Sequence, residues 1–192
     1  MGETVDPGGM RSPLREQWTL ADPDATLPLI LEAGAAQIGR TIVALVDPGT
    51  QEVRGVGTMD TPPVPPIGEL SDRADQERRS SLRKALSDIA CDLGSQWQKP
   101  PDSRGELYTV VCRDGRVVVT DTEWQFFVEW LYCHHGTGAI SADVYVVTPH
   151  GWTGIWDQRA GFDPRLNARR KLTLVEDSAT PTIEGDAGDA LK

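Results

Sequence analysis

Leu107-Tyr108-Thr109-Val110-Val111-Cys112 is an uncharged, unbroken apolar run rich in β-branched residues. Such a run reads as a strand buried on both faces, which needs covering layers above and below the sheet. Two further runs have the same character, Thr41-Ile42-Val43-Ala44-Leu45-Val46 upstream and Asp143-Val144-Tyr145-Val146-Val147-Thr148 downstream. Between the second and third lies Thr120-Asp121-Thr122-Glu123, a capping box with Thr at the N-cap and Glu three residues on. It is expected to open a helix with Trp124, Phe127, Val128 and Leu131 on its core face, ended by Gly136. Ser71 is expected to cap a long helix to about Trp97, striped by Leu82, Leu86, Ile89, Leu93 and Trp97. Thr26 is expected to cap a third to about Ile38, with Leu27, Leu31, Ala35 and Ile38 on one face and Gly39 as the stop. Asp47-Pro48-Gly49-Thr50 turns the chain into a hairpin partner, Glu52–Val56. Arg113-Asp114-Gly115-Arg116 signals a tight turn after which Val117–Val119 stay extended, and Gly151–Trp156 adds a short last strand. The order α-β-β-α-β-(β)-α-β-(β) predicts a three-layer α/β/α sandwich on a mixed sheet.

The 192 residues make one such domain, expected over 23–175, with tails. Residues 1–22 lack periodicity and are expected to be loose, docking through Trp18. Residues 176–192 are acidic, nearly free of bulky apolar groups and expected to be disordered. Within the domain, 61–70 form a proline-rich connector. Its Pro62–Pro65 and Pro63–Pro66 spacings also match an SH3-type ligand, and a stiff spacer is the simpler reading. The charge balance of 29 acidic against 19 basic residues, net −10, leaves no basic face for nucleic acid. No stretch has the length of apolar residues that a membrane span needs. The first residues lack a basic-then-apolar leader pattern, and Cys91, Cys112 and Cys133 are an odd set at no familiar spacing. A cytoplasmic protein with reduced thiols is the expectation.

The chemistry-bearing residues cluster late. Cys133-His134-His135 and His150, with Cys112 upstream, are the zinc candidates: Cys112, Cys133, His134 and His150. Neighbouring residues on a helix point about 100° apart, so at most two of the trio face one ion. His134 and His135 also suit the last turn of a helix, where they complement its dipole. No thiol has the helix N-terminus or cation that lowers a cysteine's pKa, and no G-x-S-x-G elbow is present. Arg73, Arg78, Arg79, Arg83 and Lys84 are interleaved with acids, the pattern of a solvated helix face. Trp152 and Trp156 frame a turn-rich segment beside His150, a candidate contact site for a small molecule or a protein.

The element order is shared by cytidine-deaminase-like domains and by JAB/MPN metalloprotein domains, the RadC family among them. The RadC-type signature is H-x-H-P-x-G, then P-S four residues on, then Asp three after the Ser; two His and the Asp hold zinc. Anchored on Gly115, this chain reads Val110-Val111-Cys112-Arg113-Asp114-Gly115, then Val119-Thr120, then Glu123, with Val144–Trp152 as the closing strand. It resembles a degenerate RadC-like domain. Val110 and Cys112 stand at the His positions, Val119 at the Pro and Glu123 at the Asp. The resemblance implies a metal-free relative and carries no catalytic role to any residue. An Asp-Gly turn followed by a capping box gives the same spacing by turn chemistry alone. Val146–Trp152 also resembles uncharacterised actinobacterial proteins, without a function attached.

Two readings follow. The first is a non-catalytic binding module using His150, Trp152 and Trp156, with no cofactor and a protein or small molecule as partner. The alternative is a metal-dependent hydrolase built on the Cys/His set, with zinc.

Overall fold

The computed structural model describes residues 18–65, 69, 71–95, 97 and 104–167. The expected acidic tail, residues 1–17 of the expected loose segment and residues 66–68 and 70 of the proline connector lie outside the described residues. The described chain is mixed α/β, with three helices and a six-stranded mixed sheet. The strands are β1 (Arg40–Val46), β2 (Val53–Asp60), β3 (Glu106–Cys112), β4 (Ile140–Thr148), β5 (Gly151–Gly154) and β6 (Ala160–Gly161). They lie side by side in the order β2-β1-β3-β4-β5-β6. Only β3 and β4 run parallel; every other neighbouring pair is antiparallel.

The helices are α1 (Pro23–Ala33), α2 (Asp72–Gly94) and α3 (Asp121–Leu131). One apolar cluster gathers Leu27 and Ile30 of α1 with Ile42, Ala44, Tyr108, Val110, Cys112, Tyr145 and Trp152. A second gathers Leu82, Leu86 and Leu93 of α2 and Phe126 and Trp130 of α3 with Val43, Leu45, Leu107, Val111 and Val144. Alternate residues of the central strands feed the two clusters, as the two-residue period of a strand requires. The uninterrupted apolar runs are what such double coverage demands.

Several boundaries differ from the sequence expectation. Asp22, not Thr26, caps α1: its carboxylate accepts from the Ala25 amide at 3.1 Å, with Pro23 following at the start of the helix. The helix stops at Ala33, with Gly34 as its C-cap and Ala35 in the left-handed region at φ +45°; a Cβ at 34 would come within 2.5 Å of the Ile42 Cδ1. α2 closes at Gly94 rather than near Trp97. Val117–Val119 form no strand. Both edges of β3 are already taken by β1 and β4, so a returning hairpin strand has nowhere to pair. Instead the Arg113 guanidinium donates to the Asp114 carbonyl at 3.0 Å, to that of Arg116 at 3.3 Å and to that of Val118, holding the loop around itself. α3 ends at Leu131, so His134 and His135 lie beyond its last turn.

The largest correction is rotational. α3 turns inward Glu123, Phe126, Glu129 and Trp130, and it leaves Trp124 49% and Leu131 66% exposed. The cause is ion pairing. The Arg113 Nε donates to one oxygen of Glu123 at 2.7 Å, while the other oxygen accepts from the Thr120 amide at 2.6 Å and the Thr120 hydroxyl at 2.7 Å. Glu129 accepts from Arg79 of α2 at 3.4 Å and from Arg83. Both carboxylates are fully buried with each oxygen accepting at least one hydrogen bond and each group paired to an arginine, which is what makes their burial tolerable.

Candidate functional site

Two rows of aromatic rings cross the sheet end where β4, β5 and residues 18–21 meet. The inner row runs Tyr108–Tyr145–Trp152, with centroids 6.3 Å and 5.9 Å apart, inside the α1 cluster. The outer row runs Trp18–Trp156–Phe127–Trp124, with steps of 6.4, 5.8 and 5.5 Å, and ends at the half-exposed Trp124. Trp18 packs on the α1 cluster and Phe127 on the α2/α3 cluster, so Trp156 joins the two sides.

A bulge in β4 creates the polar junction between the rows. Leu107 pairs with Ser141 but Thr109 with Val144, so Ala142 and Asp143 oppose Tyr108 alone. The bulge puts the Asp143 carboxylate in reach of the amides of Val144 at 2.7 Å and of Trp156 and Asp157 at 2.8 Å. Burial nevertheless pushes the Asp143 carboxyl up to about 6, working against those three donors and with the nearby Asp157 charge. The Tyr145 hydroxyl accepts from the Leu20 amide at 3.1 Å and donates to Asp157 at 2.9 Å. Arg159 closes the set by donating to Asp157, to the Leu20 carbonyl and, at 3.2 Å, to the Ala21 carbonyl. The residues 18–21 are thereby pinned to the sheet by backbone and side-chain bonds, including Asp143 N to the Trp18 carbonyl at 3.1 Å. Burial, and then the Asp143 and Asp157 charges, hold the Tyr145 phenol above its ordinary range.

The outer side of α3 is apolar. Trp124, Val128, Leu131 and Tyr132 fall at i, i+4, i+7 and i+8, one helical stripe, with Leu131 66% and Tyr132 59% exposed. The Arg83 guanidinium lies over the Tyr132 ring, 5.5 Å from its centroid, while its Nε serves Glu129. Asp121 stands exposed at the other end of the stripe. What this face offers is shape, apolar area and a charge at each end.

The residues named from sequence occupy three different surroundings. His150 is exposed on the turn between β4 and β5, and the backbone at Gly151 lies against Gly161 and Phe162. Phe162 itself is 86% exposed. Trp152 is 2% exposed, its indole N–H shared between Asp24 at 3.0 Å and the Asp163 carbonyl at 2.9 Å. Trp156 sits in the outer row. Of the zinc candidates, Cys112 is buried in the α1 cluster, and burial pushes its thiol up to about 12. Cys133 packs instead on the α2/α3 cluster, its thiol against the Arg83 carbonyl at 3.8 Å, and burial raises it as well. His134 is exposed in the loop after α3, next to His135, whose ring bonds Thr137 at 2.6 Å. Among the described residues no group of three or more His, Cys, Asp or Glu side chains is placed to hold a metal ion. No described helix is long and apolar enough to cross a membrane.

Tyr132 and Phe162 escaped the sequence reading because lone aromatics in loops carry no periodicity. The inward face of α3 did leave a trace, since Glu123, Phe126 and Trp130 also fall at i, i+3 and i+7. No protein-family model, curated protein or solved structure matches this chain.

Proposed function

We propose that this protein is a non-catalytic interaction module, a three-layer α/β/α sandwich whose contact surface is the outer face of α3. The observation that carries the reading is the inversion of that helix. Its more polar side, with Glu123, Gln125 and Glu129, is turned inward, and the stripe from Trp124 to Tyr132 is left facing out. Burying two carboxylates while exposing Leu131 and half of Trp124 runs against the usual division of residues, and contiguous exposed apolar surface marks contact sites. Aromatic side chains next to an arginine are the residue types that carry most binding energy at protein interfaces. The hydrolase alternative draws no support from the placement of its donors, because Cys112 and Cys133 belong to different core clusters.

The test compares the full-length chain with Leu131→Asp in cross-linking from an extract of the native host, alongside urea unfolding of both. Loss of the captured species with an unchanged unfolding midpoint supports the reading. Capture that survives Leu131→Asp sinks it.

A further inference from the structure

We infer that the partner on the outer face of α3 is a second copy of this chain, docked through a two-fold axis near Val128; this rests on the interaction-module reading above. The stripe is built for self-pairing. A two-fold axis at the middle of a helix makes the contact isologous, so residue i of one copy meets residue j of the other and the reverse. Centred on Val128, the axis sets Trp124 of each copy against Tyr132 of the other, with Leu131 filling the space beside them. An indole then meets a phenol and an isobutyl group on both sides of the axis, which suits packing of ridges into grooves between antiparallel helices.

The charges agree with that register. Asp121 lies one turn before Trp124, and Arg83 lies on Tyr132. Bringing Trp124 to the second copy's Tyr132 brings Asp121 to its Arg83, twice per dimer. Glu129 orients Arg83 from below while leaving its side chain 38% exposed, so the guanidinium is held in place before docking. A parallel pairing would set Asp121 against Asp121 and Arg83 against Arg83, which the charges oppose.

The area fixes the strength. Trp124 and Tyr132 each have about half of a side chain free to contribute, out of roughly 150–250 Å² for an aromatic residue. With Leu131 and Val128 added, the face stays below the roughly 800 Å² per partner of a standard interface. An interface of that size is at the small end of the range, where association is often transient.

Sedimentation equilibrium of the full-length chain from about 10 µM to about 1 mM tests this. The expected result is a concentration-dependent monomer–dimer equilibrium that weakens as salt is raised. Leu131→Asp should raise the dissociation constant by roughly tenfold or more. Asp121→Asn should weaken the dimer less and remove the salt dependence of the Asp121–Arg83 contact. Circular dichroism and the unfolding midpoint should stay unchanged for both, since both side chains are exposed. A monomer at every concentration, or a dimer indifferent to Leu131→Asp, overturns the inference. In the monomer case the apolar dye anilinonaphthalene sulfonate separates the remaining occupants. Dye uptake that Leu131→Asp removes leaves the interaction-module reading standing with a different partner. If neither dye nor partner responds to Leu131→Asp, the module reading falls as well.

Discussion

The inner and outer aromatic rows use the same residue types and lie at the same end of the sheet, yet they are finished in opposite ways. In the inner row every polar tip has a partner: Tyr108 donates to Glu106 at 2.5 Å, Tyr145 to Asp157, and Trp152 to Asp24 and the Asp163 carbonyl. All three rings are sealed under α1. The outer row begins in the same packing at Trp18 but runs out at Trp124, half in solvent, and continues as the bare stripe of α3. Completed hydrogen bonding marks the row that holds the fold together. The outer row ends instead in exposed ring and aliphatic area.

The sharpest way to break the contrast is Trp152→Ala. Removing a buried indole with two acceptors on its N–H should cost about 3–5 kcal/mol in chemical denaturation. A loss below about 1 kcal/mol would mean the inner row is no more structural than the outer. Next comes pH, read at the junction. The Asp143 carboxyl titrates at about 6 in the folded chain against an ordinary 3.8, so the native state holds the proton more tightly. The stability this gives is complete below about pH 4 and lost as pH rises through about 6, by at most about 3 kcal/mol. Burial raises Glu106 in the same direction. Urea midpoints measured from pH 4 to pH 7 for the wild type relative to Asp143→Asn should show the difference shrinking as pH rises; a flat difference removes the buried-acid account.

A smaller effect is expected under the outer row. Gln125 is 8% exposed and neither amide atom finds a hydrogen-bond partner among the described residues. Gln125→Leu should therefore be neutral or raise the midpoint by up to about 1 kcal/mol, since an unsatisfied buried amide is replaced by apolar volume. A loss of 2 kcal/mol or more would show that the amide is in fact engaged. The smallest change is at the stripe itself: Leu131→Ser should alter stability by no more than about 0.5 kcal/mol, and a large loss in thermal unfolding would make that face part of the core.

The same division explains what could be read from the amino acids. The central strands were legible because residues 41–46, 107–112 and 143–148 are buried on both faces and need no partner to announce themselves. The capping box at Thr120 and Glu123 was legible because it is local. The rotation of α3 was not, because it depends on cations far away in the chain: Arg79 and Arg83 for Glu129, and Arg113 turned back onto Glu123. Periodicity assigns the core to the more apolar stripe, and in α3 Trp124 and Leu131 of that stripe point outward while Phe127 packs inward. The β4 bulge, and with it the position of Asp143, was equally invisible, since a bulge is a property of the pairing with β3 and not of either strand alone. The candidate site was legible only in its residue types. Trp156 was singled out, but its neighbours Phe127 and Trp18 came from elements whose packing the sequence does not state.

The Tyr145 hydroxyl bond to Leu20 spans 125 residues, and the Trp152 bond to Asp24 spans 128. Contacts of that separation demand closure of very large loops before they return any free energy, which slows folding. During synthesis the hairpin of β1 and β2 can form early and receive α1, but the bonds between Tyr145 and Leu20 and between Trp152 and Asp24 wait until β4 and β5 have emerged. Leu20 and Asp24 then remain without these partners until residues 145 and 152 have been made. Residues 20–24 are thus made well before they can reach these native contacts, and nascent chains paused before residue 143 should be the species most prone to aggregate.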